Sequence, residues 1–239
     1  MRPLRLLSYN VRRLAADETA LVRVIRNAAP DLVFIQEAPR RFRWRYRCAS
    51  LARRCGLFVA AGGAPAMGNL LLASRRVHVH EDWAMRFPLT PGRRLRGAAF
   101  ARCSVAGRRF LAVGSQLSID PDERPQQAAL LRAALSTGDE DGEPVLLGAD
   151  LNDVAGSLSW RTLADGRIDA ARASDEVERP TYSVHCPRRR ADAIFVDPRC
   201  RVVRYQVLDS PEVRRASDHF PVYAEVELPE SAATGSPAR

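Results

Sequence analysis

Lysine is absent from this 239-residue chain; all 37 of its basic residues are arginine. Sulfur and imidazole are scarce too, with five cysteines, four histidines and three methionines. The cysteines (48, 55, 103, 186 and 200) form no C-x-x-C pair, which excludes a thiolate zinc cluster or a dithiol redox motif. Cys48 and Cys55 lie on one expected helix, too far apart to bridge. Reduced, mostly buried thiols in a cytoplasmic protein are therefore expected. No apolar run approaches the ~20 residues that cross a bilayer, so no membrane span is expected. A strand pattern begins by Leu4 and leaves no room for a signal peptide. No internal repeat and no Pro/Gly/Ser linker divides the chain. One domain over residues 1–228 is expected, followed by a small, polar, flexible tail over 229–239. With 46% hydrophobic residues, the chain can bury a substantial core, which excludes disorder as its general state.

The charge that is present is unevenly placed. Residues 1–120 hold 22 Arg against 7 acids, a net of +15, whereas residues 121–239 hold 15 Arg against 21 acids, a net of −6. GC-rich coding explains the missing lysine but not this asymmetry. A basic half beside an acidic half attracts polyanions while leaving carboxylates to hold a metal.

Strand-like and helix-like segments alternate along the chain. Leu21, Val24, Ile25 and Ala28 repeat at helical spacing behind Asp17 or Thr19 as N-cap. Trp44, Cys48, Leu51 and Cys55 form a second helical stripe. Asp120-Pro121-Asp122-Glu123 signals a third helix, with Ala128, Leu131 and Leu135 on its apolar face. Between the second and third helices come strand candidates at 68–73, 77–85, 97–105 and 108–115, the last two joined by Ala106-Gly107 as a hairpin. Later strands are predicted near 144–149, 191–196, 201–208 and 220–227. Consecutive strands without helices between them argue against a doubly wound parallel sheet. An α/β fold of two packed mixed β-sheets flanked by helices fits better.

Several of these apolar segments carry a polar residue at or near one end. Asn10 closes Leu4–Val11, Glu37 follows Asp31–Gln36, and Asp150 and Asn152 close Val145–Leu151. Asp192 interrupts Arg190–Val196, and Ser217-Asp218-His219 opens the final segment. Polar groups buried at strand ends cost free energy unless they are used, so the pattern points to one shared site. Carboxylates, amides and a single His suit Mg²⁺ (or Mn²⁺) and a phosphate ester better than zinc. Asp192 needs a partner in its apolar strand, and His219 is the natural one. Asp150 and Asn152 share a face if their segment stays extended; an Asx-turn is the other reading of D-x-N.

In order along the chain, S-Y-N, I-Q-E, G-x-D-x-N, R-x-D-x-I-F-V and S-D-H resemble the endonuclease/exonuclease/phosphatase superfamily with its DNase I-like fold. The resemblance covers residues 4 to about 228. It implies a four-layer α/β sandwich with the site at one edge. It also implies that Glu37 binds metal, Asn10 supports metal and phosphate, and Asp218 lies on the metal side. Asp150 would act as general base or aid the leaving group, and Asn152 would hold the phosphate. His219 would contact the scissile phosphate, oriented by Asp192. Arg96 and Asn69 are further substrate-contacting positions; Arg96 is equally readable as an ordinary surface arginine beside Arg93 and Arg94, and Asn69 is as evenly balanced. One position departs from the pattern: where the family usually has His before Leu, this chain reads Ser115-Gln116-Leu117. Gln116 keeps a donor but loses the positive charge.

The function expected is a divalent-metal-dependent phosphodiesterase, a nuclease acting on nucleic acid. Arg40, Arg41, Arg43, Arg45 and Arg47, interleaved with Phe42, Trp44 and Tyr46, suit a phosphate backbone and stacked bases, or else form a solvated helix face whose stems cover aromatics. The alternatives are a phosphatase or phosphodiesterase on small phosphorylated molecules or lipid headgroups, and a weakened hydrolase that mainly binds nucleic acid. His78-Val79-His80 alternates on a strand but lacks further ligands for a metal. Oligomeric state leaves no trace in the sequence.

Overall fold

Asp17 caps the first helix, its Oδ1 accepting from the backbone N–H groups of Thr19 and Ala20 at 2.9 Å each. The computed structural model describes residues 2–138, 142–174 and 179–230; the expected tail falls mostly at 231–239, outside the described residues. The elements run β1 (Leu4–Asn10), α1 (Glu18–Ala28), β2 (Leu32–Gln36), α2 (Trp44–Cys55), β3 (Phe58–Gly63) and β4 (Asn69–Ala73). They continue with β5 (His78–Arg86), β6 (Gly97–Val105), β7 (Arg108–Gln116), α3 (Arg124–Gly138), β8 (Val145–Asp150) and α4 (Leu158–Ala164). The last are β9 (Ile168–Asp169), β10 (Asp192–Val196), β11 (Arg201–Val207), α5 (Pro211–Ala216) and β12 (Val222–Glu227).

Two six-stranded mixed sheets result, ordered β11-β12-β1-β2-β4-β3 and β5-β6-β7-β8-β10-β9. Both faces of the inner strands are buried, and this explains why the sequence shows apolar runs rather than clean alternation. Along β6, Ala99, Ala101 and Cys103 join the cluster shared with the first sheet, while Ala98 and Phe100 pack with α3 and α4. The same two-residue period divides Ala112 from Leu111 and Val113 on β7, and Ile194 from Ala193 and Phe195 on β10.

Phe34 of β2 locks the sheets together. Gly114 and Gly148 pair side by side on β7 and β8, and a Cβ at Gly148 would overlap the Phe34 ring. The slot left by these two glycines seats the aromatic at van der Waals contact.

Two details differ from expectation. The third helix starts at Arg124, because residues 121–123 form a turn in which Asp120 Oδ1 accepts from the Asp122 N–H at 2.9 Å. The short elements β3, β9, α4 and α5 had no periodic signature. α4 and α5 have seven and six residues, less than two helical turns, and a stripe needs more. All five cysteines are free and four are buried; burial pushes the Cys48 thiol up to about 11 and those of Cys55, Cys103 and Cys200 up to about 12, which suits packing rather than reactivity. Among the described residues, no helix is long and apolar enough to cross a membrane.

Candidate active site

Parallel pairing decides where the polar residues arrive. β1 and β2 run parallel, as do β7 and β8, so the carboxyl ends of each pair share an edge. β10 runs antiparallel to β8, with Asp192 opposite Asp150, and β12 runs antiparallel to β1. The amino ends of β10 and β12 therefore reach that same edge. Asn10, Glu37 and His219 line a cleft of about 360 Å³ there, with Arg12, Arg13, Arg94, Asn152, Tyr182 and Asp218, and the buried Gln116, Asp150 and Asp192 are hydrogen-bonded to Glu37, Asn10 and His219.

Glu37 has a left-handed backbone, φ 56°, uncommon for a residue with a Cβ and characteristic of sites where surrounding bonds impose it. Those bonds are Arg13 N–H to the Glu37 carbonyl and Ala38 N–H to the Gly68 carbonyl, both 2.8 Å. The carboxylate accepts from Gln116 Nε2 at 3.0 Å through Oε1, while Oε2 faces Arg13 Nε at 3.7 Å.

Asp150 is fully buried and richly held. Its Oδ2 accepts from Asn10 Nδ2 at 2.9 Å and Gln116 Nε2 at 3.0 Å, and its Oδ1 from the Asn152 N–H at 3.0 Å. Asn152 itself is not extended. With φ 51° it closes an Asx-turn, and the turn, rather than strand alternation, brings its Nδ2 within 3.5 Å of Asp150. The amide also donates to the Leu117 carbonyl at 3.0 Å. The turn and the shared site are thus one arrangement.

Gln116 occupies the centre. Its Nε2 donates to both Glu37 and Asp150, and its Oε1 accepts from Arg96 Nη1. A neutral amide can join two acids to a cation in this way because it offers two protons on one side and lone pairs on the other. Arg96 is buried, with 6% of its surface exposed, so it is no ordinary surface arginine.

His219 Nδ1 lies 3.0 and 3.3 Å from the two Asp192 oxygens. Burial works against a charged imidazole, but Asp192, Asp150 and Asp218 outweigh it and push the His219 pKa up to about 9. Burial likewise drives the Asp192 carboxyl upward, against the pull of the imidazole. The pair shares one proton, which sits on His219. With Nδ1–H directed at Asp192, Nε2–H is the proton His219 can offer in the cleft. The Tyr182 ring covers the imidazole, centroids 4.7 Å apart. Ser217 Oγ donates to the Asn10 carbonyl at 2.6 Å and ties the S-D-H segment to the end of β1.

Asp218 and Glu37 face the cleft, each with one oxygen 3.7 Å from an exposed guanidinium group, Arg12 or Arg13, and the other accepting from Ser217 Oγ at 3.4 Å and Gln116 Nε2 at 3.0 Å respectively. Two carboxylates that line the cleft beside the Asn10 amide are oxygen donors of the kind that could hold a hard divalent cation. Asp150, Asp192 and His219 also present ligand atoms within 4.8 Å of one another, but Asp192 is engaged by His219 Nδ1, and Asp150 by Asn10, Gln116 and Asn152.

Asn69 stands apart. It is buried at the start of β4, its Nδ2 donating to the carbonyls of Ala66 and Gly97 at 2.8 Å each, with Oδ1 unpartnered, and it does not line the cleft. His78 and His80 lie on exposed β5, their rings edge to face at 4.6 Å. Sequence reasoning missed Tyr182, Arg12, Arg13 and Thr181, whose Oγ1 accepts from the N–H groups of Ala191 and Asp192 at 2.9 and 3.1 Å. Arg12 and Arg13 lie in a three-residue 3-10 turn and Thr181 and Tyr182 outside any named helix or strand, all too short for periodicity to show; the only available signal was Thr-Tyr-Ser after Pro180 between two strand candidates.

The Endonuclease/Exonuclease/phosphatase family profile matches residues 7–219. No curated protein matches the chain. Among solved structures, a mannosyl-6-phosphatase from Bacteroides thetaiotaomicron superposes with a TM-score of 0.80 at 18% identity, covering 94% of this chain and 100% of that one. The human Nocturnin catalytic domain with bound sulfate gives 0.76 at 18% identity, covering 95% of each chain. D. rerio TDP2 complexed with single-strand DNA product gives 0.74 at 20% identity, covering 94% of this chain and 99% of that one. At these identities the likeness is one of fold.

Proposed function

The chain belongs to the Endonuclease/Exonuclease/phosphatase family, and from that premise we propose that it is a divalent-metal-dependent phosphodiesterase that cleaves nucleic acid in the cytoplasm, as one domain spanning residues 1–228. The observation that carries the reading is the convergence of a protonated His219–Asp192 pair with Glu37, Asp150 and Asn152 in one cleft. Mg²⁺ or Mn²⁺, held by Glu37 and Asp218 with Asn10 in support, would neutralise phosphate charge and lower the pKa of bound water.

The chain's own residues supply the rest. His219 Nε2–H donates to a phosphate oxygen, strengthening as negative charge builds there. Asp192 fixes the tautomer and balances the imidazolium. Asp150, oriented by Asn10, Gln116 and Asn152, receives the proton of the attacking water as the water oxygen bonds to phosphorus; the P–O ester bond breaks and the departing oxygen takes its proton from solvent. Asn152 and Arg96 hold phosphate oxygens. Gln116 keeps the two acids apart and aligned. The basic first half, rich in arginine, supports a polyanionic substrate.

The experiment is hydrolysis of single- and double-stranded DNA, abasic DNA, RNA, inositol phosphates and an aryl phosphodiester, with Mg²⁺, Mn²⁺ or EDTA. Metal-dependent cleavage of a nucleic acid supports the reading. Turnover in excess EDTA overturns the metal requirement, and turnover confined to inositol phosphates moves the substrate to small molecules.

A further inference from the structure

Beside the catalytic cleft lies a second cavity of about 260 Å³, which shares Arg13, Glu37 and Arg94 with the lining of that cleft, has Arg96 and Gln116 at its inner end, and is otherwise walled by the segment that follows Glu37 and by Arg47 and Met67. Arg40, Arg41, Arg47 and Arg94 line it, and Phe42 stands at its wall with 88% of its surface exposed. The guanidinium groups are crowded. Burial, with Arg13 and Arg41 close by, holds the Arg40 side chain below its usual range, and Arg94 adds to the same repulsion. Arg41 and Arg94 have no acidic partner among the described residues. Arg96, nine-tenths buried at the junction of the two cavities, spends Nη1 on Gln116 and leaves Nε without a hydrogen bond. Glu37 is the one acid in the wall.

Cations crowded in this way raise the energy of the free protein unless an anion relieves them. The cavity is too small for a protein segment and of a size for one phosphate group. Arginine forks suit phosphate oxygens in paired hydrogen bonds. The rest of the arginine-rich stretch does not face this cavity: Arg43 stacks on Tyr46 at 5.0 Å and Arg45 on Trp44 at 4.5 Å.

We propose that this cavity is a second-phosphate subsite, selecting substrates that carry another phosphate group next to the scissile ester, with Arg40, Arg41 and Arg94 as its ligands. The assignment rests on the phosphoesterase reading for the neighbouring cleft, but the subsite binds its anion whether or not the cleft turns over. That second phosphate belongs either to the adjoining nucleotide of a chain or to a small bisphosphorylated molecule. An exposed aromatic at the wall favours the nucleotide, since it offers a base a face to stack on.

The test is equilibrium binding in EDTA, with thymidylyl-thymidine compared against the same dinucleotide bearing a 5′- or a 3′-phosphate, and fructose 6-phosphate against fructose 1,6-bisphosphate. Intact protein should bind at least one doubly phosphorylated ligand at least about 10-fold more tightly than its counterpart, roughly what one charge-assisted hydrogen bond supplies. The double variant Arg41→Ala/Arg94→Ala, at exposed positions and checked for an unchanged melting temperature, should reduce that ratio towards one. Preference among dinucleotides that also falls with Phe42→Ala identifies the nucleotide source; preference only for the sugar bisphosphate identifies the small molecule. A ratio near one in the intact protein, or a ratio preserved in the double variant, overturns the proposal. Parallel turnover of bis(p-nitrophenyl) phosphate with Mn²⁺ separates the two readings: its failure counts against the phosphoesterase assignment, while the binding ratio alone decides the subsite.

Discussion

Replacing Asp192 with Asn tests the proton inventory of the site. The substitution preserves shape and removes one charge from a fully buried position 3.0 Å from His219 Nδ1. The imidazole in the metal-free protein titrates at about 9 because the surrounding acids outweigh burial. Without its principal acid, only Asp150 and Asp218 remain to oppose burial, and the pKa should fall towards the unperturbed 6.5. That change is up to about 2.5 pKa units, or roughly 3 kcal/mol at 1.36 kcal/mol per unit. The sign for stability follows from linkage. A histidine whose folded pKa is raised contributes fully below pH 6.5 and loses that contribution as pH rises through about 9. Wild type should therefore exceed Asp192→Asn by up to about 3 kcal/mol at pH 6, an advantage that shrinks steadily towards pH 9.5. The burial of Asp192 opposes the same pair and makes this an upper figure. At neutral pH the variant's imidazole is uncharged and loses the carboxylate that fixed its tautomer, so turnover should drop roughly 10²–10⁴-fold. NMR titration of the ring nitrogens in EDTA reads the pKa directly, and urea unfolding across pH 6–9.5 reads the linkage. A His219 that still titrates above pH 8 in Asp192→Asn would refute the reasoning, as would a wild-type value near 6.5.

Glu37→Gln should abolish metal-dependent turnover and weaken Mn²⁺ binding by calorimetry while leaving the melting temperature within a few degrees; near wild-type affinity for Mn²⁺ would remove Glu37 from the metal site. Gln116→Leu should destabilise the protein by about 1–3 kcal/mol, because a buried Arg96 and Asp150 each lose a hydrogen-bond partner; unchanged denaturant midpoints would sink the relay assigned to Gln116. Gly148→Ala should cost about 1–3 kcal/mol through overlap with Phe34, with Phe34→Leu in the same chain recovering part of the loss; a neutral Gly148→Ala would show that the sheets are not locked by this contact.

The sequence by itself determined the strand ends and the residues that occupy them. Both faces of the inner strands are buried, so β1, β2, β7, β8 and β10 appear as apolar runs, and a polar residue at the end of such a run stands out without any coordinates. The pairing of Asp192 with His219 was legible for the same reason: an acid in an apolar strand requires a partner, and few histidines were available to provide one. Tertiary structure decided what local pattern cannot encode. The choice of Asx-turn over extended strand at Asn152, whose amide reaches the Leu117 carbonyl, the left-handed backbone of Glu37 and the cover of Tyr182 over His219 depend on contacts with distant chain. Gln116 read as the loss of a histidine, and only the pairing of β7 with β8 and the approach of Arg96 reveal it as the amide joining two acids to a buried cation. The arginine-rich stretch divides in the same way. Composition marks every one of its side chains as basic, but the turn before α2 sends Arg40 and Arg41 to the cavity and leaves Arg43 and Arg45 on their own aromatics. Charge is a property of the residue, whereas direction belongs to a backbone held in place by the packing of the whole sandwich.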